Sequence, residues 1–385
     1  MKSYCVASFR SDFGLIRPLL KAAWRDEPSD VGLVCVGLAA DLSDEYLRDG
    51  IGELEIVRFP SPVPGRSLRA FEQTLVVVSD LCRRVAEWIS GLRTPPGWLV
   101  VPGDRFEMLA SVIAAYYSGV PVAHIFGGDR SEGGHQDDSV RHAITKLAHV
   151  HFTVCDDSFR RVLNLGEEPW RVHNVGSPMV EAAREVISGY DFELSRLVQP
   201  RTHNVLCTYH PITTEAADAG RQVESILEAF ELVERKIDVA FILTYPNNEV
   251  GSDLIIEKLR GVEHKPNYFV FEDLGWKDYL AVMSRCDLVI GNSSSLVLEA
   301  PIVGVPSLNV GTRQKGRYAP AGVWHVEAYD AGEIATNILE MIELGRPPAD
   351  HPYGDGTMST SAWKILRRLG AEKTRKELLQ KKIAY

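Results

Sequence analysis

The sequence of 385 residues contains no apolar run of the roughly 18 residues that a membrane-spanning helix requires. Met1–Arg10 has neither the basic start nor the small-residue cleavage site of an export signal, so a cytoplasmic location is expected. The six cysteines, Cys5, Cys35, Cys82, Cys155, Cys207 and Cys286, stand far apart and never form a CxxC pair. That spacing argues against a disulfide framework or a zinc site. An excess of positive charge is also missing: 52 acidic residues against 42 basic ones give a net charge of −10. Nucleic acid and anionic membrane are thereby disfavoured as main partners, and an anionic small molecule would need a local basic pocket. There is no GxGxxG after the first strand-like run, no Walker A loop and no HExxH, which weakens dinucleotide, ATP and zinc-protease readings. A GxSxG elbow is absent and no cysteine falls in an electropositive loop, so covalent catalysis is disfavoured.

What is present has an ordinary globular balance, and its length predicts two domains. Short β-branched runs at Tyr4–Phe9, Val31–Val36, Leu54–Phe59, Trp98–Val101, Pro121–Phe126, Val150–Val154 and Val172–Val175 alternate with helix-like stretches. After a polar, weakly patterned stretch from Ser177 to Thr202, the alternation restarts at Val205–Tyr209, Val239–Tyr245, Tyr268–Phe271, Leu288–Ile290, Ser307–Val310 and Val323–Val326. That order predicts an α/β protein of two Rossmann-like domains facing a central cleft. The expected division is residues 1–177, 178–363, and a basic tail, 364–385, forming a helix that packs back on the body. Ligands of such sheets bind beyond the carboxyl ends of the strands, so strand-end polar residues are the ones to weigh.

Gly291-Asn292-Ser293-Ser294-Ser295 follows an apolar strand and opens the helix Leu296–Ile302. Unpaired N–H groups and the dipole at such an end suit a phosphate, whereas simple N-capping is the plainer reading. A capping box from Ser295 would need Glu or Gln at 298; the acid is instead Glu299, one turn on, where it could accept from two ribose hydroxyls. Gly311 to Arg317 concentrates Arg313, Lys315 and Arg317 behind another strand. Arg313 suits a bidentate grip on a diphosphate, and a solvated basic loop is the alternative. Arg10 and Asp12 end the first strand; Asp12 would cap the next helix. Asp104, in Gly103-Asp104-Arg105, is either a helix N-cap or a site carboxylate. The stretch Phe126 to Asp138 is too glycine-rich and polar for core and reads as a binding loop. Within it Asp137 or Asp138 would cap a helix starting at Ser139, with Arg141 in ion-pair reach. Capping explains one of these acids but not Asp104, Asp129, Glu132 and the aspartate pair together, and several carboxylates at neighbouring strand ends are what stepwise proton transfer requires. His210-Pro211 closes the first strand of the second half, so His210 is either structural or stands beside a leaving phosphate.

Taken together, Arg10 to Leu19, Gly103 to Leu109, His124 to Asp129, Asp137 to Lys146, Thr208-Tyr209-His210-Pro211, Gly291 to Glu299 and Gly311 to Arg317 resemble the hydrolysing UDP-N-acetylglucosamine 2-epimerases of sialic-acid-type sugar synthesis. The resemblance implies the glycosyltransferase-B architecture, no metal or redox cofactor, and a homodimer or homotetramer. It implies that Arg10, His210, Ser293, Ser294 and Arg313 grip a diphosphate, with Ser295 beside them, and that Glu299 takes the ribose. Asp104, the Gly-Gly-Asp loop, Asp137 and Arg141 would surround the sugar. A carboxylate would then remove the proton on the second carbon while UDP leaves the first, and water would add to the resulting glycal.

Three departures from the family pattern touch the sugar pocket. Phe126 precedes the Gly-Gly pair and Asp129 follows it where Glu is frequent, leaving the catalytic acid as Asp129, Glu132 or neither. Leu296 follows the serines where Gly is usual, which is expected to crowd the phosphates. The loop to Asp137 is long and contains His135. A 2,4-diacetamido or GDP-linked substrate therefore stays open, as do two other functions: a sugar transferase of the same architecture and a catalytically silent nucleotide-sugar binder.

Overall fold

Strands form where short β-branched runs are apolar on both faces, which only a parallel sheet covered by helices can bury. The computed structural model describes residues 1–63, 71–130, 135–247 and 249–384. All thirteen runs read as strands are strands. The first sheet holds β1 (Ser3–Ala7), β2 (Val31–Val36), β3 (Glu55–Phe59), β4 (Leu99–Pro102), β5 (Val122–Ile125), β6 (Val150–Thr153) and β7 (Val172–Asn174). The second holds β8 (His203–Thr208), β9 (Val239–Thr244), β10 (Tyr268–Phe271), β11 (Leu288–Gly291), β12 (Ser307–Val310) and β13 (Val323–Val326). Their orders are β3-β2-β1-β4-β5-β6-β7 and β10-β9-β8-β11-β12-β13, with every pairing parallel.

Strand order reverses once in each sheet, between β1 and β4 and between β8 and β11. Loops leaving the carboxyl ends of those strands diverge to opposite faces and open a crevice. The first crevice is edged by Arg10 and Asp104, the second by His210 and the serine run. Gly291, at the end of β11, has φ +134°, and a Cβ there would lie 2.0 Å from the Thr208 carbonyl oxygen on β8. Only glycine lets the two strands stay paired while the chain turns into the helix Ser295–Val303.

Between the sheets, the stretch expected to be irregular contains a helix, Pro178–Gly189. Ser177 caps it through the Met179 N–H, Pro178 occupies the first turn, and Met179, Val180, Ala182, Ala183 and Val186 are buried along one face. The flanking glycine and polar residues masked that short period. The basic end of the chain is helical over Met358–Glu372 and Arg375–Leu379. It lies against the first sheet's layer: Trp98 Nε1 donates to the Leu366 carbonyl at 3.2 Å and Arg171 Nη1 to the Leu378 carbonyl at 2.8 Å. Lys381 Nζ donates to the carbonyls of Lys146 and Ala148 at 2.7 and 2.6 Å. These lie at the carboxyl end of the helix His135–Leu147, a position that favours a cation. Among the described residues no helix is long and apolar enough to cross a membrane.

Gly291→Ala forces a methyl group onto the Thr208 carbonyl and should cost on the order of 3 kcal/mol. Chemical denaturation followed by circular dichroism reads this directly; a variant as stable as the parent would contradict the close approach of β8 and β11.

Candidate active site

The carboxyl ends of both sheets border one cavity of about 650 Å³. Arg10, Asp104, Asp129, Asp137, Arg141, His210, Ser293, Ser294, Ser295, Glu299 and Arg313 all line it. Glu132 lies outside the described residues, and so does the side chain of His135.

On the second sheet's side, Asn292 fixes the loops. Its Oδ1 accepts from the His210 N–H at 2.6 Å, and its Nδ2 donates to the His210 carbonyl at 2.8 Å. His210 Nδ1 accepts the Asn247 N–H at 3.1 Å. Burial, with Arg313 nearby, pushes the His210 pKa down to about 3, so the ring is neutral. Its one proton then sits on Nε2, which makes His210 an uncharged donor. Ser294 occupies the N-cap position without a side-chain capping bond, while Ser293 Oγ accepts the Ser295 N–H at 3.4 Å. Ser293 and Ser295 also join a hydroxyl chain, in which Ser295 Oγ bonds Ser293 Oγ at 3.0 Å and the Tyr279 hydroxyl at 2.7 Å, and Tyr279 reaches Thr208 Oγ1 at 3.2 Å. Leu296 is fully buried and absent from the lining, so the expected crowding does not occur; it turns inward because the first helical turn packs on the core.

On the first sheet's side, Asp104 is no helix cap, since the N-cap of Phe106–Tyr117 is Arg105. Arg141 is fully buried and clamps three groups: its Nη2 donates to Asp104, its Nη1 to Asp138 and to the Asp129 carbonyl at 3.0 Å. His124, also fully buried, contacts the Gly103 carbonyl at 2.7 Å and Thr145 Oγ1 at 3.1 Å, tying the Asp104 loop to the Arg141 helix. That helix begins at His135, so Asp137 and Asp138 sit in its first turn rather than capping it. Asp12 likewise lies inside the helix Arg10–Asp26, and accepts from the Ser8 N–H and hydroxyl. Phe126 has φ +70°, a costly conformation for a bulky residue, directly before Gly127-Gly128-Asp129. Gly128 has φ +79°, and a Cβ there would meet the Ser158 carbonyl oxygen at 2.3 Å. This tight turn aims Asp129 into the cavity.

The two aspartates on this side are driven apart. Burial raises the Asp104 pKa, but Arg141, Arg317 and Arg313 outweigh it and hold the carboxyl below its ordinary value. Burial, then the negative charges of Asp104 and Glu249, raise Asp137 to about 6 against the pull of Arg313 and Arg141. One carboxylate stays ionised while its neighbour can carry a proton near neutral pH, the arrangement that divides acid from base.

Opposite charges also meet across the cleft. Arg317 Nη2 is 3.0 Å from Asp129 Oδ2, Arg313 Nη2 is 3.6 Å from Asp137 Oδ2, Arg105 Nη1 is 3.7 Å from Glu249 Oε1, and Arg10 Nη1 is 3.4 Å from Asp273 Oδ2. Glu249, Arg105 and Asn292 escaped notice as site residues in the sequence. Glu249 follows Tyr245-Pro246-Asn247 at the end of β9, and strand-end position was the one signal that could have flagged it. The Arg317 loop was flagged, but nothing in it pointed to Asp129.

A family model described as UDP-N-acetylglucosamine 2-epimerase matches residues 68–367. The chain belongs to that epimerase family. It is 28% identical over 368 residues to a UDP-N-acetylglucosamine 2-epimerase of Neisseria meningitidis, covering 93% of this chain and 92% of the relative. It is equally identical, over 377 residues, to a hydrolysing UDP-N,N'-diacetylbacillosamine 2-epimerase of Legionella pneumophila, covering 94% and 95%. In fold it resembles the Methanocaldococcus jannaschii UDP-GlcNAc 2-epimerase solved with UDP-GlcNAc and UDP, at a TM-score of 0.78 and 16% identity over 96% of this chain and all of that one. The glycosyltransferase-B-like architecture expected from the sequence is therefore the architecture found. Arg10 alone among the candidate residues precedes the part matched by the epimerase family model.

Glu299 supplies a pH test of the cavity. Burial pushes its carboxyl from 4.5 up to about 7. The folded chain thus holds this proton more tightly than the unfolded chain, and ionising it removes stability as pH rises from about 4.5 to about 7. Glu299→Gln should melt close to the parent near pH 4.5 and roughly a few degrees above it at about pH 8. Melting curves across that range check it; a difference that shrinks as pH rises would contradict the burial of this carboxyl.

Proposed function

We propose that the protein is a hydrolysing 2-epimerase, converting a UDP-linked 2-acetamido sugar into UDP and the free 2-epimeric sugar. The observation that carries this reading is the split of charge in one cavity: acids of separated proton affinity on one side, and an arginine, a neutral histidine and a helix N-terminus on the other. The Legionella relative is named as a hydrolysing enzyme, which supports this reading, while the equally identical Neisseria relative's name carries no such specification.

In this reading the phosphates lie at the serine run, where backbone and hydroxyl donors, His210 Nε2, Arg10 and Arg313 share the charge. The ribose hydroxyls donate to Glu299. The sugar extends towards Asp104, Asp129, Asp137 and Arg141. The proton on the second carbon is not acidified by a carbonyl, so the bond from the first carbon to oxygen must break ahead of proton loss. Its electron pair goes to the β-phosphate oxygen of UDP, which the cations stabilise as it departs. A carboxylate takes the second-carbon proton and a carbon–carbon double bond forms, giving the glycal. Water then adds hydroxyl to the first carbon, and a proton reaches the second from the opposite face. Asp104, ionised, suits proton removal; Asp137, with a pKa of about 6, suits proton return near neutral pH.

Incubation with UDP- and GDP-linked amino sugars, without any acceptor, tests the proposal by the products. Free nucleotide plus free 2-epimeric sugar is expected. An epimer still attached to nucleotide would replace the hydrolysing reading with a non-hydrolysing one, absence of turnover without an acceptor would favour a transferase, and binding alone a silent binder. In the same assay Asp104→Asn and Asp137→Asn should each lower kcat by about 10²–10⁴-fold while UDP affinity, read by calorimetry, stays within a few-fold. Equal loss of binding and turnover would assign these acids to nucleotide binding instead.

A further inference from the structure

Among the described lining residues the cavity carries nine carboxyl groups against five guanidinium groups. A diphosphate entering such a site meets net repulsion unless the cations facing it are first freed from their own acids. Arg313 has two such acids, at equal distance: Asp137 Oδ2 and Glu249 Oε1, each 3.6 Å from its Nη2. They differ in one respect. Asp137 belongs to the opposite half, whereas Glu249 sits on the same half as Arg313.

The loop carrying Glu249 is well anchored. The Glu249 N–H donates to Ser252 Oγ at 3.1 Å, and the Ser252 N–H donates to the Glu249 carbonyl at 3.1 Å. In the same loop the Asn247 N–H orients His210. Glu249 Oε1 also faces Arg105, whose guanidinium is already held by Glu107 at 3.2 and 3.3 Å and stacked 4.2 Å from the Phe9 ring. Arg105 therefore keeps a partner without Glu249. Burial raises the Glu249 pKa, but Arg313 and Arg105 override it and keep the carboxyl ionised.

We propose that Glu249 is the internal counter-ion that the nucleotide's phosphates displace: its carboxylate occupies Arg313 in the empty cleft, and so sets both the affinity for nucleotide and the ease of its release. This rests on the nucleotide-sugar reading above. An anion binding at Arg313 must replace an attraction that already exists, which weakens binding, and the returning carboxylate helps the product leave.

Calorimetric titration of wild type, Glu249→Gln and Glu249→Asp with UDP, inorganic pyrophosphate and uridine tests this. Glu249→Gln should bind UDP and pyrophosphate about tenfold more tightly, with no gain for uridine, which lacks phosphate. Glu249→Asp, whose shorter side chain draws back from Arg313, should fall between. In turnover, KM and kcat should fall together in Glu249→Gln as product release slows. Unchanged or weaker UDP binding in Glu249→Gln, with wild type binding UDP normally, overturns this inference and leaves the nucleotide-sugar reading intact. Should wild type bind neither UDP nor pyrophosphate, both fall together.

Discussion

Two sheets that share no strand present opposite charges to each other across a narrow cleft, and the pairing of those charges is the constraint on which the site depends. Near a protein surface two unit charges about 4 Å apart attract by roughly 4 kcal/mol, and desolvation offsets much of that. Such pairs are therefore poor sources of net stability. Their value is placement: Arg317 against Asp129 and Arg313 against Asp137 put second-sheet cations directly beside first-sheet acids. Arg141 does the same from within the first half, clamping Asp104 and Asp138 at once.

Placement also requires a rigid frame behind the charges. Asn292 supplies it on one side by bonding both backbone groups of His210, and glycine at 291 allows the close strand pairing that makes the contact possible. On the other side His124 joins the Asp104 loop to the helix of Arg141, while Lys381 closes the far end of that helix. The chain's last residues thus hold the element that carries the candidate acids. Among the described residues other than glycine, left-handed backbone occurs at one turn, where Phe126 adopts it directly before the Gly-Gly-Asp129 stretch that lines the cleft.

Much of this was readable from the sequence, for reasons that are local. Buried parallel strands leave short β-branched runs, and their alternation with helices gave all thirteen strands and hence the two crevices. Strand-end position then brought Arg10, Asp104, His210 and the serine run to one place. What stayed hidden is tertiary. Asp104, Asp137 and the serines each looked like helix caps, because capping and ligand binding call for the same residue types; only the three-dimensional partners separate the two. The helix Pro178–Gly189 was masked by polar neighbours, and the inward turn of Leu296 depends on a core the sequence does not display. Glu249 carried no motif at all, since its meaning lies in Arg313, 64 positions away in the sequence.

The central claim is that acids from the first sheet exchange the second-carbon proton of a sugar while cations of the second accept the departing nucleotide. Turnover in deuterated water followed by proton NMR of the released sugar tests it most directly. The account predicts one deuterium at the second carbon, with inverted configuration there, because the proton removed is lost to solvent before the glycal is reprotonated. A product that is fully protonated at that carbon, however quickly UDP is released, would contradict the elimination mechanism.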